Sequence, residues 1–263
     1  MMTKMSKLLV TMLLSHTIAT YGFEVTVGTD DCIGACANYF KAGLDALPAI
    51  QAALNKVKNV GGGRVSLKQG EYIVNGNIDM YSNTELVGEG MDTTTIKLKD
   101  FALPWKVGTR TRAGFLRSVY RNEQKCENLY VAHLTLDGNK DNQNQDLDSL
   151  YGRYGYFTEG CTNVYLDSVR IENFQGYGFD PHGQKKTGTY GDGLIIKNCL
   201  STHNNWDGFT LDQSKNIYVF NCTARSNGRH GFNIVTGSRF VLIENSTSFV
   251  DGYYYPTGTG CGV

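Results

Sequence analysis

Along most of the chain, apolar and polar residues alternate with a period of two, the signature of strands with one face buried. One stretch departs from it. In LDALPAIQAALNKVKNVGGG the apolar residues Leu47, Ile50, Ala53, Leu54 and Val57 recur at helical spacing, and glycines 61 to 63 end the pattern. This predicts one amphipathic helix. Alternation resumes in GGRVSLKQGEYIV and NTELVGEGMDTTTIKLKD, which read as strand, turn, strand.

The second half repeats itself. CENLYVAHLTLDGN, CTNVYLDSVRIENF, GDGLIIKNCLSTHNN, SKNIYVFNCTARSNG and SRFVLIENSTSFVDG begin at 126, 161, 191, 214 and 238, a spacing of 23 to 35 residues. Each carries an alternating strand, a second short strand and an Asn-rich turn. Superimposing them places Val169, Cys199, Cys222 and Ser246 in one column and Ile171, Ser201, Ala224 and Ser248 in the next, both facing inward. A unit this short cannot bury its own apolar face, so stacked units must share a continuous core. The expected fold is an all-β solenoid, a parallel β-helix, with the helix capping its N-terminal end and blunting the strand edges there. The dense leucine pattern of leucine-rich repeats is missing. The domain reading is a leader over 1–22, an N-terminal extension over 23–44 and the β-helix over 45–263.

Composition narrows the setting. With 31 glycines, 4 prolines and few helical periods in 263 residues, short strands and tight turns dominate. The formal net charge is zero, which argues against general nucleic-acid binding. Lys4 and Lys7 precede the apolar run LLVTMLLSHTIAT, with small residues near Ala19 to Gly22. This resembles a cleaved secretory signal, so the mature protein is expected to be secreted, soluble and without a membrane span. Seven cysteines suit an oxidising compartment, and the odd count leaves at least one unpaired within the chain. Cys32 and Cys36 are spaced to close a small loop. Cys199 and Cys222 read as buried small residues, although neighbouring coils would permit a bond between them. Sequons stand at Asn221 and Asn245.

The repeat also organises the candidate chemistry. Tyr177-Gly178-Phe179 superimposes on Asp207-Gly208-Phe209 and on His230-Gly231-Phe232. If the phenylalanines point inward, Tyr177, Asp207 and His230 form a ladder on three successive coils, about 4.8 Å apart. The glycines would allow the tight approach to each strand. Alternation puts Asp180 and His182 on the outward face as well, joined by Asp212, Arg229 and Asn233. A structural ladder stacks like on like; this one mixes a phenol, a carboxylate and an imidazole, as acid–base chemistry requires. His133 and His203 lack such neighbours and read as turn residues.

Between Trp105 and Lys125 the chain carries Lys106, Arg110, Arg112, Arg117, Arg121 and Lys125 against the single acid Glu123, a positive stretch suited to a polyanion. LDGNKDNQNQDLD loosely echoes a calcium-binding loop, but Asn142 stands where the sharp-turn glycine belongs, so it reads as an Asn/Asp-rich turn. VGEGMD lacks the third glycine of a dinucleotide fingerprint.

GYGFDPHGQ, WDGF and RHGFNIVT, in that order and spacing, resemble the catalytic module of the mannuronan C-5-epimerases, which share the right-handed parallel β-helix with related alginate lyases. The resemblance extends through IQAALNKV, GGGRVSLKQGEYIV, LVGEGMDTTTIKLKD, FLRSVY and LTLDGNKDN, from about residue 45 onward. The cysteines and the leader look closer to the algal branch. By motif the resemblance implies catalytic roles for Tyr177, Asp180, His182 and His230. It implies substrate binding by Arg229, Asp207, Arg117 and Lys106, with Asn233 on the same face.

The implied reaction converts β-D-mannuronate to α-L-guluronate within alginate, by removing the C-5 proton and returning one from the opposite face. The alternatives are β-elimination on the same site and a non-catalytic polysaccharide-binding β-helix. No cofactor is required by the residues, and calcium enters as an assistant without an assigned site. Poly-mannuronate is the expected partner, in a wall or matrix; oligomeric state stays open. Two departures stand out. NQDLDS places Asp146 where bacterial modules have a groove lysine, and the chain stops at GTGCGV soon after the site coils, the expectation being a C-terminal truncation.

Overall fold

A computed structural model describes residues 22–31, 37–102, 114–119, 126–143, 154–184 and 188–252. Its helix α1 spans Leu47–Asn59 and buries Ala49, Ile50, Ala53, Leu54 and Val57, the stripe read from the sequence, with Leu47 half-buried beside it. Pro48 sits in the first turn, where a missing N–H costs nothing. Asp45 Oδ1 accepts the backbone N–H groups of Leu47 (3.0 Å) and Asn75 (3.2 Å), tying the start of the helix to a neighbouring loop. The helix packs on strands Glu24–Gly28 and Gly63–Leu67, so it covers the first coils as a cap. The segment set apart as an extension contributes strands of its own. Glu24–Gly28 and Tyr39–Lys41 pair with each other and extend the sheet beyond Gly63–Leu67.

All the pairings between these strands are parallel, in a 14-stranded sheet and a six-stranded sheet wound as a right-handed parallel β-helix. The long sheet turns a corner inside its strands. Glu127–Asp137 and Thr162–Glu172 pair on both sides of His133 and Ser168, which have φ of 55° and 55°. On later coils the same corner is held by Asn198, Asn221 and Asn245, with φ of 55°, 51° and 49°. Asparagine tolerates this left-handed conformation better than most residues, which gives the Asn-rich turns their physical reason. Asn221 Nδ2 donates to Asn198 Oδ1 (2.8 Å), and Asn198 Nδ2 to Asp167 Oδ1 (3.0 Å), linking coil to coil. His133 is thus a corner residue, and His203 is another left-handed residue (φ 55°), exposed at its turn.

The inward columns follow the superposition of repeats. Ile171, Ser201, Ala224 and Ser248 lie in register on four coils. Phe179, Phe209 and Phe232 form the aromatic spine under the six-stranded sheet, the last two rings stacked at 5.1 Å. Burying each phenylalanine contributes roughly 2–3 kcal/mol. Cys199 and Cys222 are buried free thiols. A disulfide that spacing did not single out, Cys126–Cys161, joins two successive coils. Cys32 and Cys36 lie outside the described residues. Among the described residues, no helix is long and apolar enough to cross a membrane.

Candidate active site

The six-stranded sheet carries the site. Its strands Ile78–Asp79, Gly114–Val119, Tyr154–Glu159, Phe179–His182, Phe209–Asp212 and Phe232–Val235 follow one another in space as in sequence. Period-two alternation turns Phe179 into the core and Asp180 and His182 to the opposite face. Just before these strands, Gly178 N–H bonds the carbonyl of Asp207 and Gly208 N–H that of His230, at 3.0 and 2.8 Å. Tyr177, Asp207 and His230 are therefore consecutive rungs, as the motif superposition predicts.

The glycine beside each rung is required by space. A Cβ on Gly178 would lie 2.2 Å from Ser201 Oγ, and one on Gly208 2.8 Å from Asn227 Nδ2. These atoms belong to an internal polar ladder, which the sequence reading passed over. Asn204 Nδ2 donates to Asn227 Oδ1 (3.0 Å), and Asn227 Nδ2 to Asp251 Oδ1 (2.9 Å), with both asparagines fully buried.

Asp207 lies inside the protein. It is 0% exposed and acts as a hub. Its Oδ1 accepts the backbone N–H and the Nδ1–H of His230 at 3.1 and 3.0 Å, and its Oδ2 accepts Asn233 Nδ2 (2.7 Å) and Thr210 Oγ1 (3.2 Å). Arg229 Nε stands 3.6 Å from the same carboxylate. Sequence reasoning expected Asp207 on the substrate; the structure places it inside, a buried carboxylate whose donors all come from the protein. Asn233, also expected on the substrate, is tied to Asp207 through its amide N–H.

Arg229 extends to Tyr177, its Nη1 donating to the phenolic oxygen (3.3 Å). Tyr177 is held between the rings of Tyr154 (4.9 Å) and Trp206 (4.8 Å). Burial, then the nearby Asp207 carboxylate, push its phenol above the ordinary value, while Arg229 pulls it back. At neutral pH it is a protonated phenol beside a cation.

The second cluster lies further along the same strands. His182 pairs in register with Asp212 on the next coil, and its Nδ1 is 2.7 Å from Asp212 Oδ2 and 4.0 Å from Asp180 Oδ1. Asp180 and His182 are 3% and 4% exposed, so water reaches little of either. The Phe157 ring of the preceding coil lies 6.1 Å from the imidazole. Among the described residues, Asp180, His182 and Asp212 are where three metal-capable donors converge, their atoms within 4.8 Å. This set does not fit calcium, which takes six to eight oxygens; one nitrogen and two carboxylates offer too few.

Arg117 is on the same face but is not a free groove cation. It is 8% exposed and clamps Asp79 through Nε and through Nη2 (3.0 Å). In register it lies two strands from Asp180, with Phe157 between. Lys106, Arg110, Arg112, Arg121, Lys125 and Asp146 lie outside the described residues. Among the residues present but not foreseen, Asp79 leaves no sequence motif. Tyr154 is recoverable, because it superimposes on Tyr177 one repeat earlier.

Residues 43–254 match the family described as rhamnogalacturonase A/epimerase, pectate lyase-like. The chain belongs to this family. It is similar to mannuronan C5-epimerase AlgE1 of Azotobacter vinelandii, 35% identical over 216 residues, covering 79% of this chain and 14% of that protein. It is also similar to alginate lyase 7 of the same organism, 35% identical over 206 residues, covering 75% of this chain and 22% of that one. The solved A-module of the Azotobacter vinelandii mannuronan C-5 epimerase AlgE4 superimposes with a TM-score of 0.68 at 31% identity, over 79% of this chain and 54% of that module. The chain thus spans a small part of these full-length relatives and about half of the solved module. Epimerase and lyase stand at the same identity, so membership in the family does not choose between the two reactions.

Proposed function

We propose that this chain carries the catalytic centre of a mannuronan C-5-epimerase, acting on mannuronate residues of alginate in a secreted setting. The observation that carries the reading is the pairing of two differently prepared proton carriers on one face. A protonated phenol, Tyr177, is held by Arg229, and an imidazole, His182, lies against the carboxylate of Asp212. The similarity to epimerases over 79% of the chain supports it.

The C-5 proton of a uronate is weakly acidic, and its loss places negative charge on the adjacent carboxylate. Arg229, with its side chain 30% exposed, supplies a cation for that charge. Asp180, when protonated, shares a hydrogen bond with the same carboxylate. His182 takes the C-5 proton, and the neutral phenol of Tyr177 delivers one to the opposite face. His230 is held on the same face by Asp207. No step runs through calcium.

The second reading, β-elimination, is favoured by the equal likeness to alginate lyase 7. It shares the same first proton transfer and then expels the 4-linked sugar. Proton NMR of poly-mannuronate in deuterium oxide, with absorbance of unsaturated ends followed in parallel, separates the two. Guluronate signals with deuterium at C-5 and no unsaturated ends are expected. Unsaturated ends with chain shortening would replace the epimerase by a lyase, and neither signal from folded protein would overturn both.

A further inference from the structure

Two buried thiols take no part in the site. Cys199 and Cys222 are 2% and 1% exposed, and both are free in this structure. They stand in register on neighbouring coils, because the pairs Lys197–Phe220 and Leu200–Thr223 bracket them. Their coils run on to Asp207 and to His230, the rungs joined at the carboxylate hub.

The chain holds a precedent for such a pair. Cys126 and Cys161 are bonded across neighbouring coils, with Cα atoms 4.5 Å apart. There Thr162, the residue after the second cysteine, donates its N–H to the Cys126 carbonyl at 2.8 Å. Thr223 donates to the Cys199 carbonyl at the same 2.8 Å. The sulfurs also lie alike. Cys161 Sγ is 3.6 Å from the carbonyl oxygen of Glu159, two residues before it, and 3.1 Å from that of Ser118, one coil earlier. Cys222 Sγ is 3.3 Å from the oxygen of Phe220, again two residues before, and 3.5 Å from that of Ile196, one coil earlier. Adjacent parallel strands lie about 4.8 Å apart, within the Cα separation that a disulfide spans.

We infer that Cys199 and Cys222 close a second disulfide between coils, by thiol–disulfide exchange with a small-molecule disulfide as the chain folds. This rests on the secreted setting proposed above. The Cys222 thiolate attacks one sulfur of the donor, whose bond breaks and whose other half leaves as a thiolate. Cys199 gives its proton to that thiolate and displaces the second half, which forms the Cys199–Cys222 bond. The cysteines lose two electrons and two protons, and the donor is reduced to two thiols. Cys222 is the attacking group, because a hydrogen bond from Cys199 lowers its thiol, whereas burial, then Cys222 itself, raise Cys199. The exchange falls after these two coils meet and before the next closes over them, where Thr247 N–H bonds the Cys222 carbonyl at 2.9 Å. Once formed, the bond ties the coil of Asp207 to that of His230.

The test takes the full chain from the culture medium, with free thiols alkylated in denaturant before any other step and any glycan at Asn221 removed. Trypsin releases residues 198–215 and 216–225 as peptides with one cysteine each. Without reductant, the mass spectrum is expected to show them as one species, two hydrogens lighter than their sum, which dithiothreitol splits. Separate, alkylated peptides would overturn the inference. So would either cysteine joined to Cys32, Cys36 or Cys261, or capped by a single donor thiol. Replacing both cysteines by serine should lower Tm by about 5 °C, and dithiothreitol should shrink that gap at least twofold. A gap that dithiothreitol leaves unchanged would reduce the pair to packing and overturn the bond. If the double variant does not fold, the wild-type peptide map decides alone. If the chain never reaches the medium, the secreted setting fails, and the same map on chain refolded with oxidised glutathione decides the bond.

Discussion

One oxygen of Asp207 receives both the backbone N–H and the imidazole Nδ1–H of His230, at 3.1 and 3.0 Å. The carboxylate of one coil thereby sets the position of the next coil's main chain and the orientation of its side chain together. Structure and site are coupled through this residue. Asp207→Ala should destabilise the protein by about 3 kcal/mol, because it strands buried donors, and should abolish turnover. Denaturant titration and activity assays check both. A variant of wild-type stability would show that the hub is dispensable.

Tyr177 presents the opposite case. Its ring is packed between Tyr154 and Trp206, and its hydroxyl accepts from the part-exposed Arg229 at 3.3 Å. Tyr177→Phe keeps the ring contacts and should cost no more than about 1 kcal/mol of stability. Under the proposed mechanism it removes the returning proton, and turnover should fall at least 100-fold. Near-wild-type rates in the folded variant would remove the phenol from the mechanism.

Alkaline pH should unfold the protein through its buried phenols. Burial raises Tyr72 and Tyr156 strongly, and pushes Tyr130 up to about 12. Tyr218 also rises to about 12, through loss of hydration and its bond to Glu244. A group with a raised folded pKa binds its proton more tightly in the native state, so its contribution is complete below the unfolded value near 10. Stability should then fall as pH climbs from 10 toward 12, with phenolate absorbance rising cooperatively with unfolding. Independent titration of these tyrosines near pH 10 in the folded state would contradict this.

The Cys126–Cys161 bond closes a 35-residue span between successive coils. Its replacement by two serines should lower stability by about 3–4 kcal/mol, from the restored freedom of the unfolded chain. Chemical denaturation of the double variant checks the figure. A loss below 1 kcal/mol would indicate that the unfolded chain keeps these coils together without the bond.

The solenoid, the capping helix and the rungs of the site were legible before any folding is considered. Each depends on periodicity, and periodicity survives in one dimension: the column Ile171, Ser201, Ala224, Ser248 and the rungs Tyr177, Asp207, His230 were both readable from superimposed repeats. Register alone does not report what a side chain touches, and there tertiary structure decided. The motif resemblance assigned both Asp207 and Arg117 to substrate binding. In the fold Asp207 is enclosed by the donors of the following coil, and Arg117 is taken by Asp79, 38 residues earlier in the chain. The pairing of Cys126 with Cys161 depends on how long the intervening coil is, which composition does not state. The partner that each imidazole turns toward is likewise a distance between coils. Only the winding of the chain, which brings Asp212 to 2.7 Å from His182, could set it.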